Sequence, residues 1–378
     1  MKVVLIGNYS PDLQESMNRF AMMLKNGLTK AGIETEIWLP VVITGNFSKS
    51  TISGLGKWLG YFDKWILFPV ILRLRALKKK YKNSSTIFHI CDHSNAIYLG
   101  SLPKLRTVIT CHDVLAIRGA LGFQDSYCEA SRFGVILQKW IFGNLRKAKK
   151  IATVSSLTLS QLTELNDGVI PLGAVWKTVH NAFNENFNAL PIDVAKLKIA
   201  ELGIKNNRPF ILHVGSSLKR KNRVLLVDML LALGTEWNGV VCFVGESIDE
   251  ELKAYIKNKD MKERVISIVK PNHENLLALY TTCEAFVFPS FSEGFGWPVI
   301  EAQACGAPVI ASNIEPMPEV SGGAALLENP HNPVDFANAF LTLKDNVVKK
   351  NISDNGFQNC KRFTLDNMIE SYVSLYKV

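Results

Sequence analysis

Short runs of apolar, β-branched residues recur along the chain and alternate with stretches whose apolar positions fall three and four apart. The early runs are Val3–Ile6, Thr35–Leu39, Thr86–Ile90, Arg106–Cys111 and Ile151–Val154, with a helical pattern over about 14–31. Several are apolar almost throughout, as strands are when helices cover both faces of a parallel sheet. Asn and Pro interrupt the rhythm over Val179–Pro191, VHNAFNENFNALP. It restarts with strands at Phe210–Val214, Val240–Gly245, Val265–Val269, Ala285–Phe288 and Pro308–Ala311, and a helix over about 221–233. The pattern predicts an α/β fold of two doubly wound, Rossmann-like domains, 1–185 and 186–361, facing across a cleft. A last helix over about 362–378 is expected to pack back on the first domain.

Composition narrows the class. The chain has 378 residues, 47% of them hydrophobic, which is too long for one core and too apolar for disorder. No run of eighteen apolar residues occurs, and MKVVLIGNYS reads as a first strand rather than a secretory leader. Seven scattered cysteines without CxxC spacing read as small buried hydrophobes in a reducing compartment, so a cytoplasmic location is expected. Charge is uneven. Residues 1–180 hold 23 Lys and Arg against 11 Asp and Glu, a balance of +12, while the remainder carries −3. A basic first half suits an anionic partner. For nucleic acid there are basic residues but no motif, and no partner of that class is expected.

Candidate chemistry concentrates in FPSFSEGFGWPVIEAQACGAPVIAS, Phe288 to Ser312. Gly294 and Gly296 permit close backbone approach, Pro298 fits the first position of a helix, and Glu301 then falls in that helix's first turn. The free amides of such a helix start attract an anion, but the dipole supplies only about half a charge, too little for a diphosphate. HVGSSLKRKN supplies cations, placing Lys219, Arg220 and Lys221 after the strand that ends near Gly215. Carboxylates repel phosphate and accept from hydroxyls, so Glu301 suits a ribose diol and Glu293 a sugar. Each feature has a plainer reading: Glu301 as a dipole complement, the basic trio as a solvated face. The strand-end position they share favours a site. The first strand ends in GNYSPD, which lacks most of the G-x-G-x-x-G dinucleotide fingerprint.

In these residues the chain resembles the retaining GT-B glycosyltransferases of family 4, whose frame PSxxEGFGxPxxEAxAxGxPVIAS is matched from Pro289 to Ser312 almost letter for letter. VGSSLKRKN, IATVSSLTLSQL, VHNAFN and KRFTLDNMIESYVSLY follow the same family's order. The resemblance implies a GT-B architecture and the transfer of a hexose from a nucleotide diphosphate sugar, GDP- or UDP-linked, to an acceptor hydroxyl of a glycan or lipid-linked glycan. It implies that Glu301 binds the donor ribose, that Glu293 with Gly294, Phe295 and Gly296 holds the sugar, and that Arg220 and Lys221 neutralise the diphosphate. His112, in TCHDV, is implied to face the donor sugar. His89 and His93 also end a strand, and their neighbours fit a structural or acceptor-side role as well as a catalytic one. Ser216 stands beside Gly215 where many relatives carry Arg, which places more of the phosphate on Arg220 and Lys221. The chain has no D-x-D, so no metal and no cofactor are expected. The same fold also serves nucleotide-sugar 2-epimerases and non-catalytic nucleotide-sugar binders, which remain alternatives.

One further segment, residues 57–82, mixes aromatic residues with eight Lys and Arg between positions 57 and 82. From Pro69 onward Ile71, Leu74, Leu77 and Tyr81 recur at helical spacing. This predicts either a helix lying on an anionic membrane surface or one packed on its own domain with a solvated basic face.

Overall fold

The computed structural model describes residues 1–47, 50–51, 54–204 and 208–378. These divide into two compact units. One comprises Met1–Phe123, Cys128–Asn184 and Thr364–Val378, the other Gln124–Tyr127 and Glu185–Phe363.

The first unit is built on six parallel strands: β1 (Lys2–Ile6), β2 (Glu34–Trp38), β3 (Thr86–Ile90), β4 (Thr107–Cys111), β5 (Lys150–Thr153) and β6 (Val175–Thr178). They lie in the order β2-β1-β3-β4-β5-β6. Central strands β3, β4 and β5 are buried at every position, which fits their mostly apolar and small residues. Val4, Ile6, Phe88, Ile90 and Ile109 pack with Phe68, Leu72 and Leu145 from the covering helices. The last helix, Leu365–Lys377, belongs here. Its Tyr376 hydroxyl meets His89 Nδ1 at 2.7 Å, and its Tyr372 hydroxyl meets Thr110 at 2.9 Å. Thr110 in turn lies 2.8 Å from His89 Nε2. His89 is therefore a fully buried anchor for the C-terminal helix, the structural one of the roles left open for it.

The second unit repeats the plan with β7 (Phe210–Gly215), β8 (Val240–Gly245), β9 (Val265–Val269), β10 (Ala285–Phe288), β11 (Val309–Ser312) and β12 (Leu326–Glu328). All are parallel, in the order β12-β11-β10-β7-β8-β9. This is the order of the dinucleotide-binding fold. From β7 the chain adds β8 and β9 on one side, then crosses to lay β10, β11 and β12 on the other. The order reverses between β7 and β10, and loops leaving their carboxyl ends diverge there to open a crevice. In the first sheet the same reversal lies between β1 and β3.

Two strands, β6 and β12, escape the hydrophobic pattern because they are short, half-buried edges. The 57–82 segment also departs from expectation. It forms helices Gly54–Phe62 and Phe68–Ala76 joined by a π-helical turn over Asp63–Leu67. Phe68, packed edge-on against Tyr98, sets the phase of the second helix, so Phe68, Leu72 and Ala76 are buried. Leu74 and Leu77 are exposed instead, and Tyr81 is buried in the turn that follows, donating to Glu36 at 2.6 Å. No helix among the described residues is long and apolar enough to cross a membrane.

Candidate active site

The residues singled out in the second unit converge at the carboxyl ends of β7 and β10, where the strand order reverses. After β7 the chain makes a short 3-10 turn, Lys219–Lys221, before the helix Arg223–Leu233. After β10 it runs through Ser292–Gly296 into the helix Trp297–Ala304. Asn222 joins the two loops. Its backbone is left-handed at φ 53°, and its side-chain amide donates to the carbonyls of Pro289 (3.2 Å) and Pro330 (2.7 Å). The Phe291 amide donates to the Arg220 carbonyl at 2.8 Å, and the Phe291 ring is stacked between those of Tyr127 and His331.

This framework brings Lys221 Nζ to 2.6 Å from Glu293 Oε1 and Arg220 Nη1 to 2.7 Å from Glu293 Oε2. Arg220 also donates to the Ser292 carbonyl at 3.0 Å. The sequence reading kept cations and carboxylates to separate tasks. The structure joins them, because a buried charge is stable only when paired. Burial favours neutral Glu293, yet Lys221 and Arg220 outweigh it and hold the carboxyl below its ordinary range. Burial also draws the Lys221 ammonium below its usual value, against the pull of Glu293 and of Glu301. A carboxylate has about four acceptor positions, so Glu293 can hold both cations and still accept from a sugar hydroxyl.

Gly296 caps the start of the helix after β10 with φ 100°, and a Cβ there would stand 2.5 Å from Met317 Cε. Only glycine fits. Phe295 is buried beside Phe363, Gly294 is half-buried, and the Val299 amide closes the first turn of the helix by donating to the Gly296 carbonyl at 3.0 Å. The helix begins at Trp297, so Glu301 is its fifth residue rather than a first-turn residue. It is buried and accepts from the Tyr280 hydroxyl at 2.9 Å. Dipole complementation therefore does not explain it. Gly215 ends β7, and a Cβ on it would touch Lys221 Cδ and Cε at 3.6 Å; Ser216 follows, half-buried, at the strand end. Lys219 is exposed and takes no part in the cluster.

One residue that the pattern did not single out is His213, fully buried in β7. Its Nδ1–H donates to the Val287 carbonyl at 3.0 Å, and its Nε2 has no hydrogen-bond partner. Burial pulls its pKa down to about 3, so the ring is neutral. Lying inside an apolar strand run, it gave no motif to read.

In the first unit, His112 follows β4, buried and edge-on to Phe20 at 4.6 Å. Its Nε2 donates to the Cys91 carbonyl at 2.9 Å, which fixes the neutral tautomer and leaves Nδ1 as an acceptor. Burial lowers its pKa although Asp92 opposes this. At the reversal between β1 and β3 lies a cavity of about 280 Å³. Asn8 and Asn95 line its base, and Tyr61, Lys64 and Trp65 line one side, with Tyr61 and Trp65 stacked at 3.9 Å. Only the glycine turn after β1 hinted at it in the sequence.

Among the described residues no group of three His, Cys, Asp or Glu side chains is placed to hold a metal ion.

In each α/β unit the strand-order reversal is the place where open sheets of this kind bind ligands, and in the second unit the cation and carboxylate cluster lies there. Residues 195–358 match the family described as glycosyl transferases group 1. The chain is 28% identical over 350 residues to the O-antigen chain mannosyltransferase B of Escherichia coli, covering 88% of this chain and 86% of that one. Its fold is similar to sucrose-phosphate synthase of Thermosynechococcus elongatus, with a TM-score of 0.73 at 19% identity over 100% of this chain and 98% of that one. HepE of Anabaena, solved with UDP and glucose, gives a TM-score of 0.72 at 16% identity over 100% and 99%. The fold expected from the sequence, α/β with two Rossmann-like units of the GT-B type, is the one observed.

Proposed function

We propose that the chain is a retaining hexosyltransferase of family 4 that moves mannose from GDP-mannose to a hydroxyl of a growing surface glycan. The observation that carries this reading is the cluster of half-buried Arg220 with buried Lys221 and Glu293, next to the helix Trp297–Ala304 at the strand-order reversal. A diphosphate binds the cations, Glu301 accepts from the ribose, and Glu293 with the backbone of Gly294 to Gly296 orients the sugar. As the glycosidic bond breaks, negative charge grows on the leaving diphosphate, and pre-placed cations favour that state over the ground state. The departing phosphate takes the acceptor's proton on the same face, so no protein nucleophile is required. His112 is assigned to the donor sugar as a neutral hydrogen-bonding group. The cavity beside Asn8, Tyr61 and Trp65 is assigned to the acceptor, since stacked aromatic faces edged by amides suit a saccharide. Mannose is chosen because the O-antigen relative named above is a mannosyltransferase.

The test is to incubate purified protein with GDP- and UDP-linked hexoses and an oligosaccharide acceptor, with chelator present, and to read linkage and anomeric configuration by NMR. Transfer of α-mannose from GDP-mannose in chelator is expected. An inverted product, an absolute need for Mg²⁺ or Mn²⁺, or an epimerised sugar formed without acceptor would refute the corresponding part of the reading.

A further inference from the structure

The helical segment from Gly54 to Leu77 carries exposed apolar residues in a single file: Leu55, Trp58, Phe62, Ile66, Val70, Leu74 and Leu77. Leu55 is 85% exposed, and Trp58, Ile66, Val70, Leu74 and Leu77 are each between 55% and 62% exposed. Most steps along the file are of four residues, and four residues overshoot a 3.6-residue α turn by about 40°. Over this length the file would wind around a regular helix. The π turn Asp63–Leu67 is wider than an α turn and takes the overshoot back, so the residues before and after it stay on one side. That turn is built in. Asp63 within it is buried and accepts from the Tyr9 hydroxyl (2.8 Å) and from the amides of Ile43 (3.0 Å), Thr44 (3.0 Å) and Gly45 (2.9 Å).

A second helix widens the face. On Arg132–Leu145 the residues Phe133, Ile136 and Trp140 are exposed at the same helical spacing. Trp58 meets Phe133 at 4.9 Å and Trp65 meets Trp140 at 5.8 Å, so the two helices run side by side in the same direction. Solvent is a poor neighbour for such a surface, since scattered apolar residues are ordinary but a contiguous strip across two helices marks a binding face.

The charges beside the strip are predominantly positive. Between residues 37 and 91 Asp63 is the one acidic residue, and its carboxylate is turned inward; between 130 and 163 there is none. Lys57, Arg73, Lys78, Lys79, Lys80, Lys82, Arg132, Lys139, Arg146 and Lys147 are all exposed. Lys80 meets Glu36 at 3.2 Å and Arg146 meets Asp167 at 4.0 Å, and the exposed indoles, aliphatic side chains and excess of the remaining cations match the boundary of an anionic bilayer, where apolar groups enter the acyl region and Lys and Arg meet headgroups. A protein partner or a second copy of this chain would have to leave those cations unmatched or bring acidic groups that this unit does not display there.

We infer that the paired helices Gly54–Ala76 and Arg132–Leu145 form a docking face for an anionic lipid bilayer, aligned by the π turn. The face is distinct from the one expected from spacing alone, since Tyr81 is buried and Leu55, Trp58, Phe62 and Ile66 lead the strip. The opposite side of the same segment, with Tyr61, Lys64 and Trp65, lines the 280 Å³ cavity, so docking would hold that cavity near the membrane surface.

The experiment is sedimentation of the full chain with phosphatidylcholine vesicles with or without phosphatidylglycerol, alongside Trp fluorescence. Binding only to the anionic vesicles, weakening as salt rises, with a blue shift of the indole emission, is expected. The exposed-residue variant Trp58→Ser/Ile66→Ser/Val70→Ser should lower partitioning roughly tenfold or more, and Arg73→Gln/Lys139→Gln should lower it on anionic vesicles alone. Unchanged melting temperature and unchanged donor hydrolysis in solution would show that these variants remain folded. No sedimentation of the wild type at low salt, partitioning indifferent to both variants, or a dimer that the triple serine variant dissociates would overturn the inference. None of these outcomes bears on transferase chemistry, which is read without lipid.

Discussion

At the scale of single residues, Glu293 is the pivot, because two cationic side chains depend on one buried carboxylate. Lys221→Ala removes a charge aimed at the leaving diphosphate but leaves Arg220 to neutralise Glu293. Turnover should fall about 10²–10³-fold, equivalent to roughly 3–4 kcal/mol, with little change in melting temperature. Glu293→Gln strands two buried cations instead, and a loss of about 3–5 kcal/mol is expected in denaturant unfolding of the second unit. Glu301→Gln keeps an acceptor for the Tyr280 hydroxyl, so the fold should hold while KM for the donor rises about tenfold at near-constant kcat. Steady-state kinetics separates the two glutamates. The residue types at these positions were legible because charge and glycine spacing stand out against apolar surroundings. Their pairing was not, since Arg220 and Glu293 lie 73 positions apart and meet only when β7 and β10 are neighbours.

Elements add what residues alone lack. The helix Leu365–Lys377 is last in sequence yet completes the first unit through His89, Thr110 and the hydroxyls of Tyr372 and Tyr376. Tyr376→Phe leaves a buried imidazole nitrogen without its partner and should cost the first unit about 1–3 kcal/mol, measured by urea unfolding. Tyr372→Phe should act in the same direction through Thr110. Strands such as Val240–Gly245 could be read from hydrophobicity because both their faces are covered. The edge strands β6 and β12 could not, since a half-buried edge carries no continuous apolar run. In the helix Phe68–Ala76 the spacing could not say which stripe turns inward: Phe68, Leu72 and Ala76 are buried, while Leu74 and Leu77 of the expected stripe face outward and Tyr81 lies beyond the helix, buried.

For the whole molecule, each unit encloses a neutral histidine, His89 in the first and His213 in the second, both fully buried with pKa drawn down to about 3 from an ordinary 6.5. Above pH 6.5 neither folded nor unfolded chain holds the proton, and these groups add no pH dependence. As pH falls from 6.5 toward 3 the unfolded chain takes up protons that the fold refuses, so stability declines by up to about 1.4 kcal/mol per pH unit for each histidine. Calorimetry between those limits should show both units losing stability with acid, and His89→Gln should lessen the loss in the first unit, where buried His112 also resists protonation, and leave the second unchanged. By itself the sequence determined the α/β class, the two repeats of strand and helix, and which charged residues crowd the strand ends, because periodicity and composition act over short separations. Tertiary structure alone decided that Glu293 holds Arg220 and Lys221, that Glu301 lies a full turn inside its helix against Tyr280, and that the apolar file from Leu55 to Leu77 faces outward. Those outcomes depend on strand order and helix phase, which arise from contacts between residues far apart along the chain.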